Sequence, residues 1–312
     1  MRAMTEVTAA TVARRYGLGR PLRPAVYAAR GELGLIFRLD TERGSFAVKE
    51  SLVPVDEAGA AADVAFQRAA AAAGVRLPPP VPTVDGRVVA DGFRVYAWVD
   101  LDPSGAVTVA ELGTVAARLH GVGHPAAGPV VDWFATPLGA DGWHALLATA
   151  ERASAGWAGP LGARLADLVA LDTVVRPPDP ARVTTCHLDL NRENVRRARD
   201  GGTVVLDWEN SGPCQPEREL AAVLADLTVA EAARAYRAYR AAGGPAEVTG
   251  PADFSTAVAV QGHLLDFYGR RSLDPASSAE DAQRSRDRLA AMLAHPLTLP
   301  AVEVLLEALA GS

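Results

Sequence analysis

Cysteine is nearly absent: Cys186 and Cys214 are the two thiols in 312 residues. Two thiols build neither a disulfide framework nor, unaided, a cysteine-based zinc site. A reducing, cytoplasmic setting is therefore expected. No run of about 20 apolar residues occurs, so no transmembrane helix and no membrane partner are expected. The stretch from Met1 to Arg20 is polar and broken by Arg14 and Arg15, without the apolar centre of a signal peptide. Long basic stretches are missing as well. With 31 Lys and Arg against 37 Asp and Glu, a net charge of -6, the chain lacks the electrostatic footprint of a nucleic-acid binder. The six histidines (120, 124, 144, 187, 263, 295) form no cluster with metal-ligand spacing.

What remains is a globular balance, 49% hydrophobic and 22% charged, with length enough for two lobes. The first hundred residues read as strands around one helix. Leu35, Phe37 and Leu39 alternate with Ile36, Arg38 and Asp40, and the turn residues Thr41 to Gly44 lead back into Ser45 to Glu50. A second hairpin centres on Asp91-Gly92, between Val88-Val89 and the run from Phe93 to Val99. Asp56 to Ala73 is alanine-rich and stops at Gly74, as a helix does. Leu77 to Pro82 must be extended, because proline forbids helix there.

Asp102 to Gly105 reads as a linker, and Thr108 to Glu111 as a capping box opening a helix over Leu112, Val115 and Leu119. Further helices are expected over 142–155, 161–171, 220–242, 257–268 and 278–293. A β patch interrupts them, Val183 to Cys186 and Thr203 to Leu206 flanking the turn Arg199 to Gly202. The expected class is α+β, with a small antiparallel-sheet lobe over 1–99 and a larger, mostly helical lobe over 100–312.

The stretch His187-Leu188-Asp189-Leu190-Asn191-Arg192-Glu193-Asn194 fits the H-x-D-x-x-x-x-N catalytic-loop pattern. Thirteen residues later, Val204-Val205-Leu206 ends on Asp207. Phosphoryl transfer needs positioning and charge neutralisation more than covalent chemistry. Asp189 suits the carboxylate that orients an acceptor hydroxyl and takes its proton. Asn194 and Asp207 supply hard oxygen ligands for Mg2+. The His-x-Asp pair alone would mean little; the spacing to Asn194 and Asp207 carries the reading.

This loop, with Val205 to Glu209 and Gly212 to Ala221, resembles the aminoglycoside phosphotransferase and choline kinase-like family. The resemblance implies a bilobal protein-kinase-like fold and transfer of the γ-phosphate of ATP (or GTP) to a small-molecule hydroxyl. It also implies that Glu219, where the family usually has aspartate, braces the catalytic loop. His120 and His187 are expected in structural support. Lys49, in Phe46-Ala47-Val48-Lys49, fits the strand lysine that pairs with ATP phosphates. Its acidic partner is expected on the following helix, at Asp63 or Glu57.

Arg30 to Gly34, with Gly31 and Gly34, stands where a phosphate-covering loop belongs, though without the full glycine pattern. The base is expected along Tyr96, Ala97, Trp98 and Val99, with Trp98 an ordinary half-buried aromatic on the plainer reading. Residues 213–312 carry 13 acids and 9 bases, which suits a cationic acceptor. Asp266 is the candidate to bind one, or else to pair with Arg270 four residues on. Trp208 and Glu209 are expected to border the acceptor pocket. Trp133, Trp143 and Trp157 are expected to line it or fill core. An antibiotic kinase, a metabolic kinase of the choline, amino-sugar or homoserine type, and a silent binding fold all remain open, as monomer or homodimer.

Overall fold

In the computed structural model, which describes residues 4–32, 34–103 and 105–311, Asp91 and Gly92 both take positive φ, 52° and 78°. Two such residues in succession turn a chain tightly enough to reverse it. Leu33 of the Arg30–Gly34 stretch, Ser104 of the linker and Met1 to Ala3 lie outside the described residues. In chain order the first elements are α1 (Glu6–Arg15), β1 (Val26–Arg30), β2 (Gly34–Thr41), β3 (Gly44–Ser51), α2 (Glu57–Ala72), β4 (Pro80–Val81) and β5 (Phe93–Ala97). Then come α3 (Val109–Gly121), α4 (Asp132–Ala135), α5 (Gly139–Arg152), α6 (Ala158–Asp172), β6 (Thr184–Cys186), β7 (Val195–Arg197), β8 (Thr203–Val205) and β9 (Gly212–Cys214). The chain ends with α7 (Pro216–Ala225), α8 (Val229–Ala241), α9 (Ser255–Leu273), α10 (Ala279–Ala294) and α11 (Leu299–Ala310). Two compact units result. One joins 1–108 to 189–212, and the other joins 109–188 to 213–312.

The first unit is built on an antiparallel sheet of order β1-β2-β3-β5-β4. Phe37, Leu39, Val48 and Val95 point from it into a core shared with Val12, Ala13, Tyr16 and Leu18. The helix α1 was not expected from the sequence; Thr5 caps it through the Thr8 N–H. The expected helix on Asp56 to Ala73 is α2, where the Asp56 carboxylate accepts from the Ala58 and Gly59 N–H groups. The Asp91-Gly92 turn forms, but its first arm is reduced to a single bridge between Ala90 and Phe93.

The β patch needs correction. Thr203–Val205 pairs with Val195–Arg197, in the register Val195↔Val205 and Arg197↔Thr203. It does not pair with Thr184–Cys186, which shares a sheet with β9. Residues 198–202 make the short connection, whereas pairing with 184–186 would have spanned the whole catalytic loop.

In the second unit, α3 starts one residue after Thr108, as the capping box indicated. The helix expected over 220–242 is broken into α7 and α8. Thr228 and Glu231 form a reciprocal capping box that restarts the chain. Trp143, Leu146, Leu161, Leu168, Leu265 and Leu289 form one core. Both cysteines are free and buried, and no single helix among the described residues is long and apolar enough to cross a membrane.

The α3–α8 contact depends on one glycine. A Cβ at Gly113 would lie 2.1 Å from the Ala235 carbonyl oxygen, a backbone atom that cannot swing away. Gly113→Ala is therefore expected to destabilise the chain by about 1–3 kcal/mol or more, because the helices must separate. Urea unfolding followed by circular dichroism checks this; an unchanged midpoint would show that the helices part freely.

Candidate functional site

Strand register sets the site. Lys49 on β3 lies opposite Arg94 on β5, so both side chains leave the same face of the sheet. Lys49 is the only lysine of the chain; every other strongly basic side chain is arginine. Its ammonium touches Asp207 Oδ1 and Glu209 Oε2, both at 2.8 Å. Burial alone would pull its pKa down, but the two carboxylates outweigh burial and hold it raised. Gly34 makes room for this side chain: a Cβ there would meet Lys49 Cε at 3.0 Å and the Glu50 carbonyl at 3.1 Å. Among the described residues, a Cβ added to Gly31 would meet the Gly34 oxygen at an ordinary 3.9 Å.

The β7–β8 hairpin brings the polar loop residues together. Its ladder continues from Val195↔Val205 to a bond from the Leu206 N–H to the Asn194 carbonyl at 2.8 Å. Asn194 is thereby set beside the residue that precedes Asp207. Asn194 Nδ2 donates to the Asp189 carbonyl at 2.8 Å. Asn191 Nδ2 donates to Asp189 Oδ1 at 2.9 Å, and Asn191 Oδ1 accepts the Glu193 and Asn194 N–H groups. Burial first, and then the charge of Asp207, push the Asp189 carboxyl up to about 7, against hydrogen bonds from Asn194 and Asn210 that pull it down. Asp207 itself takes a left-handed conformation, φ 56° and ψ 66°, which a non-glycine residue adopts at a cost.

Lys49 occupies one oxygen of Asp207. The other carboxylate oxygen and the Asn194 amide oxygen are hard donors of the type Mg2+ takes. The donor set therefore fits the ion.

The acids of α2 are bound elsewhere, which corrects the expected partner of Lys49. Asp63 Oδ2 accepts from both Nη1 and Nη2 of Arg94 at 3.0 Å. Glu57 pairs with Arg87 at 3.2 Å. The cause is reach: Arg94, directly across from Lys49, extends a forked head to the shorter aspartate.

The second unit holds the supporting residues. His120 Nε2 lies 2.8 Å from Glu219 Oε2, and its Nδ1 lies 2.9 Å from the Tyr239 hydroxyl. Glu219 Oε1 accepts the Leu188 N–H. Leu188 has φ 63°, a conformation that its surroundings must enforce. His187 is fully buried, and it joins His120 and these hydrogen bonds in keeping Glu219 ionised against the cost of burial.

A model of the phosphotransferase enzyme family matches residues 28–255, well over half of the chain. The chain belongs to the phosphotransferase enzyme family. No curated protein sequence matches it. Among solved structures, spectinomycin phosphotransferase in complex with ADP and spectinomycin aligns with a TM-score of 0.71 at 14% identity, over 99% of this chain and 98% of that one. An aminoglycoside phosphotransferase from Alicyclobacillus acidocaldarius aligns at 0.55 and 16%, over 92% of each. Choline kinase from Streptococcus pneumoniae aligns at 0.52 and 14%, over 93% and 98%. At these identities the likeness shows the fold, which is kinase-like and bilobal, with an N-terminal antiparallel sheet and a larger helical part.

Some residues of this phosphotransferase lie other than as expected. Trp208 is buried: its ring meets Phe66 edge-on at 5.5 Å, and its Nε1 donates to the Val205 carbonyl. It is a core residue rather than the wall of an acceptor pocket, because its one polar atom is already used. Glu209 serves Lys49. Asp266 accepts the Arg270 Nε–H at 2.7 and 2.9 Å, the i,i+4 pairing weighed from the sequence. Trp143 and Trp157 fill core through bonds to Asp172 and Ser272, whereas Trp133 is exposed and stacks on His263 at 5.0 Å. Along the connector, Ala97 and Trp98 donate their N–H groups to Pro79 and Ser45. Trp98 also carries Arg38 over its ring. Sequence reasoning missed Arg94 and Asn191. A charged residue at the Lys49-facing position of an otherwise apolar strand was the available signal for Arg94.

Proposed function

We propose that the chain transfers the γ-phosphoryl group of ATP, or of GTP, to a hydroxyl of a small molecule, with an aminoglycoside or related hydroxylated antibiotic as acceptor. The observation that carries this reading is the contact of Lys49 with Asp207 at 2.8 Å, in a unit where Asn194 bonds the Asp189 backbone. The acceptor class is supported by the likeness to spectinomycin phosphotransferase along almost the whole of both chains.

Asp189 would orient the acceptor hydroxyl and take its proton as the oxygen attacks. A carboxyl held near 7 is matched to that exchange at neutral pH. Lys49 would hold phosphate oxygens. Asp207 and Asn194 would hold Mg2+, which supplies neutralisation of phosphate charge when bound. On the base side, the sheet already uses the Ala97 and Trp98 N–H groups. The Val99 N–H is the first donor beyond the ladder and would read the base edge, with Tyr96 and Trp98 flanking it. Gly31 and Gly34 would lie along the phosphates.

A coupled ATP-consumption screen over aminoglycosides, other hydroxylated antibiotics and small amino alcohols tests the reading. A thermal shift with ATP and Mg2+ accompanies it, because a ligand that binds only the folded state raises Tm. Turnover with an antibiotic is the expected result. Turnover with an amino alcohol alone would move the acceptor to the metabolic class, where the likeness to choline kinase points. A chain with neither turnover nor thermal shift would be a silent binding fold.

A further inference from the structure

Lys49 is held without any direct contact from the acids of α2, and Arg94 explains how. Asp63 grips both Nη atoms of Arg94 at 3.0 Å. Arg94 Nη1 lies 3.8 Å from Glu209 Oε1. The other oxygen of the same carboxylate, Oε2, is 2.8 Å from Lys49 Nζ. The four side chains thus form one line of alternating charge, Asp63–Arg94–Glu209–Lys49, within the first unit. Three of its members are well buried, the side chains of Asp63, Arg94 and Lys49 being 6%, 9% and 12% accessible, whereas that of the bridging Glu209 is 25% accessible.

Exposed ion pairs hold little, but buried ones with forked geometry fix position, since breaking them strands a charge. Glu209 bridges two cations that the register places side by side, and it keeps them from repelling each other. Without Arg94, Glu209 would keep one partner and Asp63 none.

We propose that Arg94 is a positioning residue for the phosphate-binding lysine: anchored on α2 by Asp63, it fixes Glu209, and Glu209 fixes Lys49. The inference rests on the nucleotide reading above for its consequence, but not for its geometry. It predicts that Arg94 affects nucleotide binding only through Lys49.

The test uses the full chain and the fact that it has a single lysine. Sulfo-N-hydroxysuccinimide acetate modifies Lys49, and peptide mass spectrometry separates that product from the α-amine product. The double variant Arg94→Gln with Asp63→Asn removes both charges and strands neither. In it, Lys49 is expected to react about 5–10-fold faster than in the parent, the size of one interaction of about 1 kcal/mol. Its Kd for Mg·AMP-PNP, by calorimetry, is expected to rise by about the same factor. Added to Lys49→Met, the same pair of changes should weaken binding by less than about twofold. An unchanged Lys49 labelling rate in a variant that melts like the parent would overturn the proposal. So would a full Kd penalty on the Lys49→Met background. If the double variant does not fold, Arg94→Gln alone, which leaves Lys49 the single lysine, is held to the same labelling criterion. Should the parent bind no Mg·AMP-PNP, the nucleotide reading fails on its own, and the labelling rates still decide the relay.

Discussion

Asp189→Ala is expected to lower kcat by about 10²–10⁴, the usual loss when a general base is removed. Nucleotide affinity should hardly move, because the groups proposed for the phosphate side are Lys49, Asp207 and Asn194. Initial rates with a confirmed acceptor, beside calorimetry with Mg·AMP-PNP, separate the two; full turnover in the variant would remove Asp189 from the mechanism. The raised carboxyl adds a pH signature. Asp189 releases its proton near 7 in the folded chain, against an ordinary value of 3.8, so activity should rise with pH through neutrality. Asp207→Asn removes the second cause of that shift and should bring the carboxyl down. The same group also links stability to pH. The folded state holds this proton more tightly than the unfolded chain, so its contribution is fully present below about 4 and is lost as pH rises towards 7. Asp189→Asn keeps the shape and removes the titration. Its melting temperature at pH 8 should therefore exceed the parent's, as is common where a catalytic group is held against its own stability. A lower melting temperature at pH 8 would mean that the carboxylate is stabilised by contacts rather than strained by burial.

The residues that could be read from the sequence are those whose chemistry demands fixed spacing within one short segment. Asp189, Asn194 and Asp207 fall within 19 positions, and a single hairpin closes them into one place. Lys49 was legible because a strand with a lysine near its end is a local pattern. Its partners were not. Arg94 lies 45 positions away and Glu209 a further 115, and only strand register and the fold of 189–212 onto the sheet bring them to it. The expectation of a helix acid for Lys49 failed for that reason: nothing local shows that Arg94 claims Asp63 first. The β patch failed similarly, since 184–186 and 195–197 are both short, and only loop length favours the nearer partner for 203–205. Trp208 shows a different limit. An aromatic residue following a metal-ligand candidate looks like a pocket wall until its indole N–H is found on the Val205 carbonyl.

Glu219→Ala should cost about 3–5 kcal/mol of folding stability, the scale set by breaking a buried charged pair. One carboxylate serves both sides of the site's support. Its Oε2 meets His120, and its Oε1 takes the Leu188 N–H immediately before Asp189 in the chain. Removal leaves an imidazole nitrogen and a backbone N–H buried without a partner, each of which is expensive by itself. It also releases the constraint that keeps Leu188 at φ 63°, so the residue next to Asp189 can relax toward ordinary geometry. The variant should therefore lose kcat as well as stability, although Glu219 touches no reacting atom. Glu219→Asp separates the two losses, because a carboxylate one methylene shorter keeps its charge but cannot span from His120 to Leu188. It should melt between the parent and the alanine variant while turning over as poorly as the latter. The pH dependence runs opposite to that of Asp189. The folded chain holds the Glu219 pKa below 4.5, so its stabilisation is present above that pH and fades as pH falls. Urea unfolding at pH 7 and pH 4 measures this directly: the gap between parent and Glu219→Ala should narrow at the lower pH. A gap that stayed constant would mean that the loss comes from packing, and that the charge on Glu219 does not hold the catalytic loop in place.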